Sequence, residues 1–135
     1  MTKRTFISFA VLVLVLAVLI PWLAFRSKGD ASSGPEEVPA SLESGQELFQ
    51  INCGNCHTLY AAGTDGNYGP DLDDLLAPAG PVSEDEVERV EGLVLLAIEN
   101  GADSSTTSGR MPGGILNETQ AEEVAAFVAA TAGEG

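Results

Sequence analysis

The sequence predicts an all-α domain of roughly 90 residues, preceded by a single N-terminal transmembrane helix. Three observations predict it. An uncharged apolar run stands near the start, three later stretches carry helix-start signals and helical periodicity, and no alternation of apolar and polar residues is long enough for a useful strand.

The apolar run is residues 6–25 (FISFAVLVLVLAVLIPWLAF), 20 residues without a charge. At ~1.5 Å of rise per residue such a helix spans about 30 Å, the thickness of a bilayer's hydrocarbon core. The positive mean hydropathy of +0.13 comes largely from this stretch. A buried core helix would be shorter or carry some polar residues. A cleaved signal has an apolar region of about 7–15 residues followed by a small-x-small site. Here Leu23-Ala24-Phe25 puts a bulky residue where a small one is wanted, and Ala31-Ser32-Ser33 lies beyond Arg26 and Lys28. Residues 1–28 therefore read as an uncleaved signal-anchor. Lys3, Arg4 and the α-amine slightly outnumber Arg26 and Lys28, so the N-terminus is expected inside. Trp22 suits the outer interface, and Pro21 falls in the last turn, where little helix is left to break. The expected location is the cytoplasmic membrane, single-pass, with the domain on the extracytoplasmic or periplasmic side.

Charge is divided unevenly. All 20 acids lie at or beyond Asp30, against only Arg89 and Arg110, so the exported part carries 18 net negative charges. Such a surface excludes nucleic acid and anionic lipid headgroups as natural partners. It favours a partner with a basic docking surface, a saline habitat, or both.

Residues 29–40 (GDASSGPEEVPA) read as a flexible linker of Gly, Ser, Pro and acids, with a reach of at most ~40 Å. The domain occupies 41–135. Its first helix is expected to open at Ser41 or Ser44, where Ser44-Gly45-Gln46-Glu47 fits a capping box, and to run through Leu48, Phe49 and Ile51. The second begins at Ser83, with Ser83-Glu84-Asp85-Glu86 as another capping box. Val87, Val90, Val94 and Ile98 form one helical face, and Asn100-Gly101 stops the helix. The third starts at Asn117 with Gln120 three residues on, and continues through Val124, Phe127 and Val128. Glycine-rich loops fill 61–81 and 101–116. With 6% aromatic residues the core is thin, and a domain of this size often leans on a metal, a disulfide or a ligand.

The strongest local signal is Cys53-Gly54-Asn55-Cys56-His57. Two thiols three residues apart lie on one side of a helical turn, so both can add to vinyl groups along one porphyrin edge. The histidine that follows is aimed at the iron. C-x-x-C-H is thus read as covalent attachment of one haem c, with thioethers at Cys53 and Cys56 and an iron ligand at His57. A thioredoxin-like redox pair would need a βαβ pattern, and structural zinc would need four ligands. Cys53, Cys56 and His57 are the chain's only Cys and His residues. The sixth iron ligand follows by elimination. No second His exists, Lys3, Lys28 and Met1 belong to the membrane segment, and Met111 remains, in Gly109-Arg110-Met111-Pro112-Gly113-Gly114. An open or water-bound iron is the alternative.

With these motifs in view, the domain resembles the class I monohaem c-type cytochromes, in the style of short c6/c553-like and oxidase-associated domains. The resemblance runs from about Ser41 to Ala132. It rests on Gly45 and Phe49 before Cys53, the C-x-x-C-H motif, Gly69-Pro70-Asp71-Leu72, Ile98-Glu99-Asn100-Gly101, Met111-Pro112 and Phe127 in the last helix. It implies a cytochrome c fold wrapped around one covalent haem, with the first and last helices crossing at Gly45 and Phe49 packing near the haem. It also implies that the Pro70 carbonyl accepts the free ring N–H of His57. Arg110 is a candidate contact for a haem propionate, with an ordinary surface ion pair as the alternative. Tyr60, Asn67 and Tyr68 receive no role, and Asp71, Asp73 and Asp74 read as a solvated face or a docking patch.

His/Met ligation leaves no site for substrate, so electron transfer is the expected chemistry and no enzymatic activity is expected. A thioether ligand raises the potential relative to bis-histidine iron. The expectation is a one-electron carrier between respiratory or photosynthetic membrane complexes, with a bc-type quinol oxidase as donor and a terminal oxidase as acceptor. A fixed haem subunit of an oxidase or dehydrogenase is the second reading, and a sensor or peroxidase with open iron the third.

Overall fold

The computed structural model describes the backbone at 3–26, 38–103 and 109–135; within the first stretch it describes side chains at 7, 8 and 11–20 only. The expected linker up to residue 37, Lys28 and the Ala31-Ser32-Ser33 site lie outside the described residues, as do the side chains of Pro21 and Trp22. The chain divides into two compact units, Met1–Ser32 and Ser33–Gly135.

In the first unit the described residues form one helix, α1 (Lys3–Arg26), whose apolar side chains at 11–20 are all exposed. Among the described residues no helix is long and apolar enough to cross a membrane, so the expected span is not found there.

The second unit is built on three longer helices, α2 (Glu43–Asn52), α4 (Glu84–Asn100) and α5 (Glu118–Thr131), with a single-turn α3 (Leu72–Leu76) between the first two. α5 packs against both α2 and α4. It is buried on nearly every side, with Val124, Ala125, Phe127, Val128 and Ala129 all at 1% exposure or less. That environment explains its run of alanines, since only small side chains let two neighbouring helices approach one helix together. Phe127 meets Phe49 of α2 with ring centroids 6.1 Å apart and planes tilted by 60°, the aromatic contact at the centre of the core. At the same crossing Gly45 faces the α5 backbone. A methyl group there would run into the Glu123 carbonyl and lie 2.7 Å from Phe127 Cβ, so the close approach needs glycine.

Helix starts follow the sequence unevenly. Asn117 makes both halves of a capping box: its side chain accepts from Gln120 N at 3.0 Å, and Gln120 Oε1 accepts from Asn117 N at 3.2 Å. Ser83 does occupy the N-cap of α4, but its hydroxyl donates to the Glu86 carboxylate at 3.0 Å and leaves the helix N–H groups alone. The expected box at Ser44 is absent. α2 begins after Leu42, and Ser44 lies inside the first turn, where its hydroxyl donates to Glu123 of α5 at 2.7 Å. In both cases a nearby carboxylate outcompetes the backbone for a serine hydroxyl. α4 buries Val90 and Ile98 and half-buries Val87 and Val94, the expected face, and ends at Asn100.

The loops carry structure too short for periodicity to reveal. Antiparallel β1 (Thr58–Leu59) and β2 (Thr64–Asp65) flank a 3-10 turn at Tyr60–Ala62, and β3 (Ala102–Asp103) pairs with β4 (Arg110–Met111). The acidic stretch at 71–74 is largely structural. Asp71 caps α3, accepting from Asp73 N and Asp74 N. Asp73 accepts from Tyr60 N and from Gly133 N, both at 2.8 Å, and so ties the end of the chain to the first loop.

Two outcomes follow. Gly45→Ala should lower stability by about 1–3 kcal/mol, the cost of overpacking a close contact, read from the denaturant midpoint. Partial burial, then the neighbouring Asp73 carboxylate, pushes the Glu134 carboxyl up from its usual 4.5. A raised carboxyl opposes folding above its folded pKa, and that penalty disappears below its unfolded value. Glu134→Gln should therefore raise the unfolding temperature at neutral pH, with the difference from wild type vanishing once the medium is acid enough to protonate the carboxyl in both states.

Candidate functional site

Cys53 stands at the C-cap of α2, its N–H donating to Phe49 O at 2.8 Å, so the helix delivers the first thiol. The N–H groups of Cys56 and His57 both donate to the Cys53 carbonyl at 2.9 Å. One carbonyl thus closes the turn and gathers Cys53, Cys56 and His57 within a few ångströms of backbone. Gly54 lets the β1–β2 hairpin press against this turn, since a methyl there would lie 2.5 Å from Thr64 Cγ2. Thr64 clamps it further by donating to the His57 carbonyl at 3.0 Å, and Thr58 donates to Gly66 O at 3.0 Å.

The two thiols are free; Cys53 is buried and Cys56 half-buried. Burial, and secondarily the neighbouring Cys56, pushes the Cys53 thiol up from 9.0 to about 11. Among the described residues no three His, Cys, Asp or Glu side chains are placed to hold a metal ion.

His57 is 9% exposed, and its Nδ1 lies 2.9 Å from the Pro70 carbonyl oxygen. A carbonyl only accepts, so Nδ1 carries the proton and Nε2 keeps its lone pair for another partner. The bracing segment is itself fastened: Gly69 N donates to Cys56 O at 2.7 Å. A methyl on Gly69 would lie 2.5 Å from His57 Cε1, so glycine is what lets the backbone pass flat against the imidazole. Sequence reasoning assigned a role to Pro70 and missed Gly69, although the adjacent glycine was the available signal.

Met111 lies on β4, half-buried against the core, with Ala102 as its ladder partner. Gly101 follows α4 at φ +76°, where a methyl would lie 2.5 Å from the Met111 carbonyl oxygen. Gly114 N donates to Ile98 O at 2.8 Å. Met111 is therefore fastened at backbone level to the end of α4. Arg110, beside it, pairs with Asp103 across the ladder at 3.3 Å, with both side chains more than three-quarters exposed.

The donor set fits a covalently held haem. Two thiols and an imidazole with a free Nε2 arise from one turn, and Leu72, Leu76, Val94, Leu95 and Met111 are apolar side chains at the edge of the core that protein atoms cover only in part.

The sequence model of the Cytochrome c family matches residues 42–132. Among solved structures, the c-type cytochrome SorU from Sinorhizobium meliloti is 34% identical in sequence; the match covers 69% of this chain and 92% of that one, with a TM-score of 0.47. No curated protein matches. The packing of Gly69 on the imidazole predicts that Gly69→Ala shifts the NMR resonance of the His57 Nδ1 proton. The same variant should lose about 1–3 kcal/mol of stability through overpacking.

Proposed function

The chain belongs to the cytochrome c family, and from that membership we propose that it carries single electrons between membrane complexes on the outer side of the cytoplasmic membrane. Haem c, covalently bound, is its cofactor. It supplies a one-electron ferric/ferrous couple when bound. In this reading Cys53 and Cys56 would hold it through thioethers, and His57 Nε2 and the Met111 thioether would ligate its iron. The observation that carries the reading is the single turn at 53–57, with the imidazole pinned through Nδ1 at 2.9 Å from Pro70 O.

Each residue's part follows from its chemistry. Pro70, by accepting the hydrogen bond from Nδ1–H, fixes the ring's orientation and would make Nε2 a stronger donor to the metal. Met111, as the iron's second protein ligand, would leave no place for substrate and would favour the reduced state. Arg110, now paired with Asp103, could exchange that partner for a propionate at little cost, because both side chains are exposed.

The tether and the partners belong to the same proposal. Residues 1–28 anchor the chain, 29–40 link the anchor to the domain, and 41–135 form the haem domain. Support for the anchor is the 20-residue uncharged run and the exposed apolar side chains at 11–20 of α1. A bc-type quinol oxidase as donor and a terminal oxidase as acceptor suit a tethered carrier of raised potential. With 20 acids in the exported part against Arg89 and Arg110, and both arginines engaged with Glu86 and Asp103, the docking face of a partner should be basic.

Replacing Met111 by Ala should abolish the weak sulfur-to-iron charge-transfer band of the ferric protein and lower its reduction potential; an unchanged spectrum would remove Met111 from the iron. Electron-transfer rates with the physiological partner should fall as ionic strength rises, as screening weakens attraction between opposite charges. Rates indifferent to salt would remove the basic docking face and leave the carrier assignment intact.

A further inference from the structure

Met111 is fastened to α4 on one side through Ala102, Gly101 and Gly114. A second contact reaches its loop from the opposite direction in sequence. A methyl on Gly109 would lie 2.5 Å from Tyr68 Cε1, 2.8 Å from Tyr68 Cδ1 and 2.9 Å from the Tyr68 carbonyl oxygen. Tyr68 therefore lies on the Gly109 backbone with both its ring and its main chain. Gly109 stands two residues before Met111, and Tyr68 directly precedes Gly69, which packs flat on the His57 ring.

We propose that Tyr68 is a positioning residue for Met111, its ring joining the segment that braces His57 to the loop that presents the methionine sulfur. The contact series His57–Gly69–Tyr68–Gly109 bridges two proposed axial ligands that lie 54 positions apart in the chain. The inference rests on the His/Met ligation proposed above. A core role does not account for this side chain, because Tyr68 is 59% exposed. Its ring carbons, not its hydroxyl, make the contact. Were the Met111 sulfur to leave the iron by movement of its loop, that movement would separate Gly109 from the Tyr68 ring or take the Gly69 segment along. The Tyr68 contact thus acts against the methionine-off state, in addition to the ladder on α4.

The test uses the matured ferric holoprotein and free imidazole, which competes with Met111 for the iron, with loss of the sulfur-to-iron band as the readout. Tyr68→Ala should bind imidazole about tenfold more tightly than wild type, equivalent to ~1.4 kcal/mol. Tyr68→Phe, which keeps the ring carbons, should stay close to wild type. Asn117→Ala removes a distant helix cap and should lower the unfolding midpoint without changing imidazole affinity. If Tyr68→Ala does not mature, Gly109→Ala, whose methyl displaces the ring, should show the same tightening. The proposal is overturned if the variant at 68 or 109 binds imidazole as wild type does, if Tyr68→Phe behaves like Tyr68→Ala, or if Asn117→Ala tightens binding equally. A wild-type protein with no sulfur-to-iron band overturns the ligation itself, and this inference with it.

Discussion

The hydrogen bond between His57 Nδ1 and the Pro70 carbonyl, 2.9 Å long, determines which ring nitrogen is left to bind anything else. With its proton committed to an oxygen that can only accept, the imidazole presents Nε2 as a lone-pair donor in one orientation. The surrounding structure maintains that bond. α2 delivers Cys53, the Cys53 carbonyl closes the turn that carries His57, and the Cys56 carbonyl receives Gly69 N to bring Pro70 alongside. The β1–β2 hairpin then holds the turn through Thr64, which donates to the His57 carbonyl. The same few residues thus form the attachment motif and the scaffold that orients its histidine.

A chain with few aromatic residues achieves this by close backbone approach. Gly45 brings α2 onto α5, Gly69 lies on the imidazole, Gly101 meets the Met111 carbonyl, and Gly109 lies under Tyr68. Each contact leaves too little room for a β-carbon, so the glycine content reflects packing as well as turns. The domain gains close packing at low cost in side-chain entropy, but protein atoms alone leave several apolar side chains at the core edge half-covered. A covalently held apolar macrocycle fits that deficit, and a small domain has little other apolar volume with which to make it good.

Much of this was legible in the sequence wherever a residue type has one dominant use. C-x-x-C-H, the Asn117–Gln120 cap, the α4 face from Val87 to Ile98 and the Asn100-Gly101 stop are of that kind. Ser44 and Ser83 misled because a hydroxyl has several competing partners, and in both cases a carboxylate took it. Asp71 and Asp73 resembled surface charge, since nothing local reveals that Asp73 reaches Tyr60 and Gly133. α3 and the two-residue ladders are too short to show a period. Tyr68 was invisible for a different reason: its partner, Gly109, is distant in sequence and has no side chain to suggest a contact.

The central claim is that the turn at 53–57 carries a haem joined to the chain by two carbon–sulfur bonds. Intact mass spectrometry of the matured protein under denaturing conditions tests it most directly. A single species heavier than the polypeptide by one haem is expected, shifting to the bare polypeptide mass when both Cys53 and Cys56 are replaced by Ala. A matured wild-type protein that runs at the bare polypeptide mass, with its pigment released on unfolding, would contradict it.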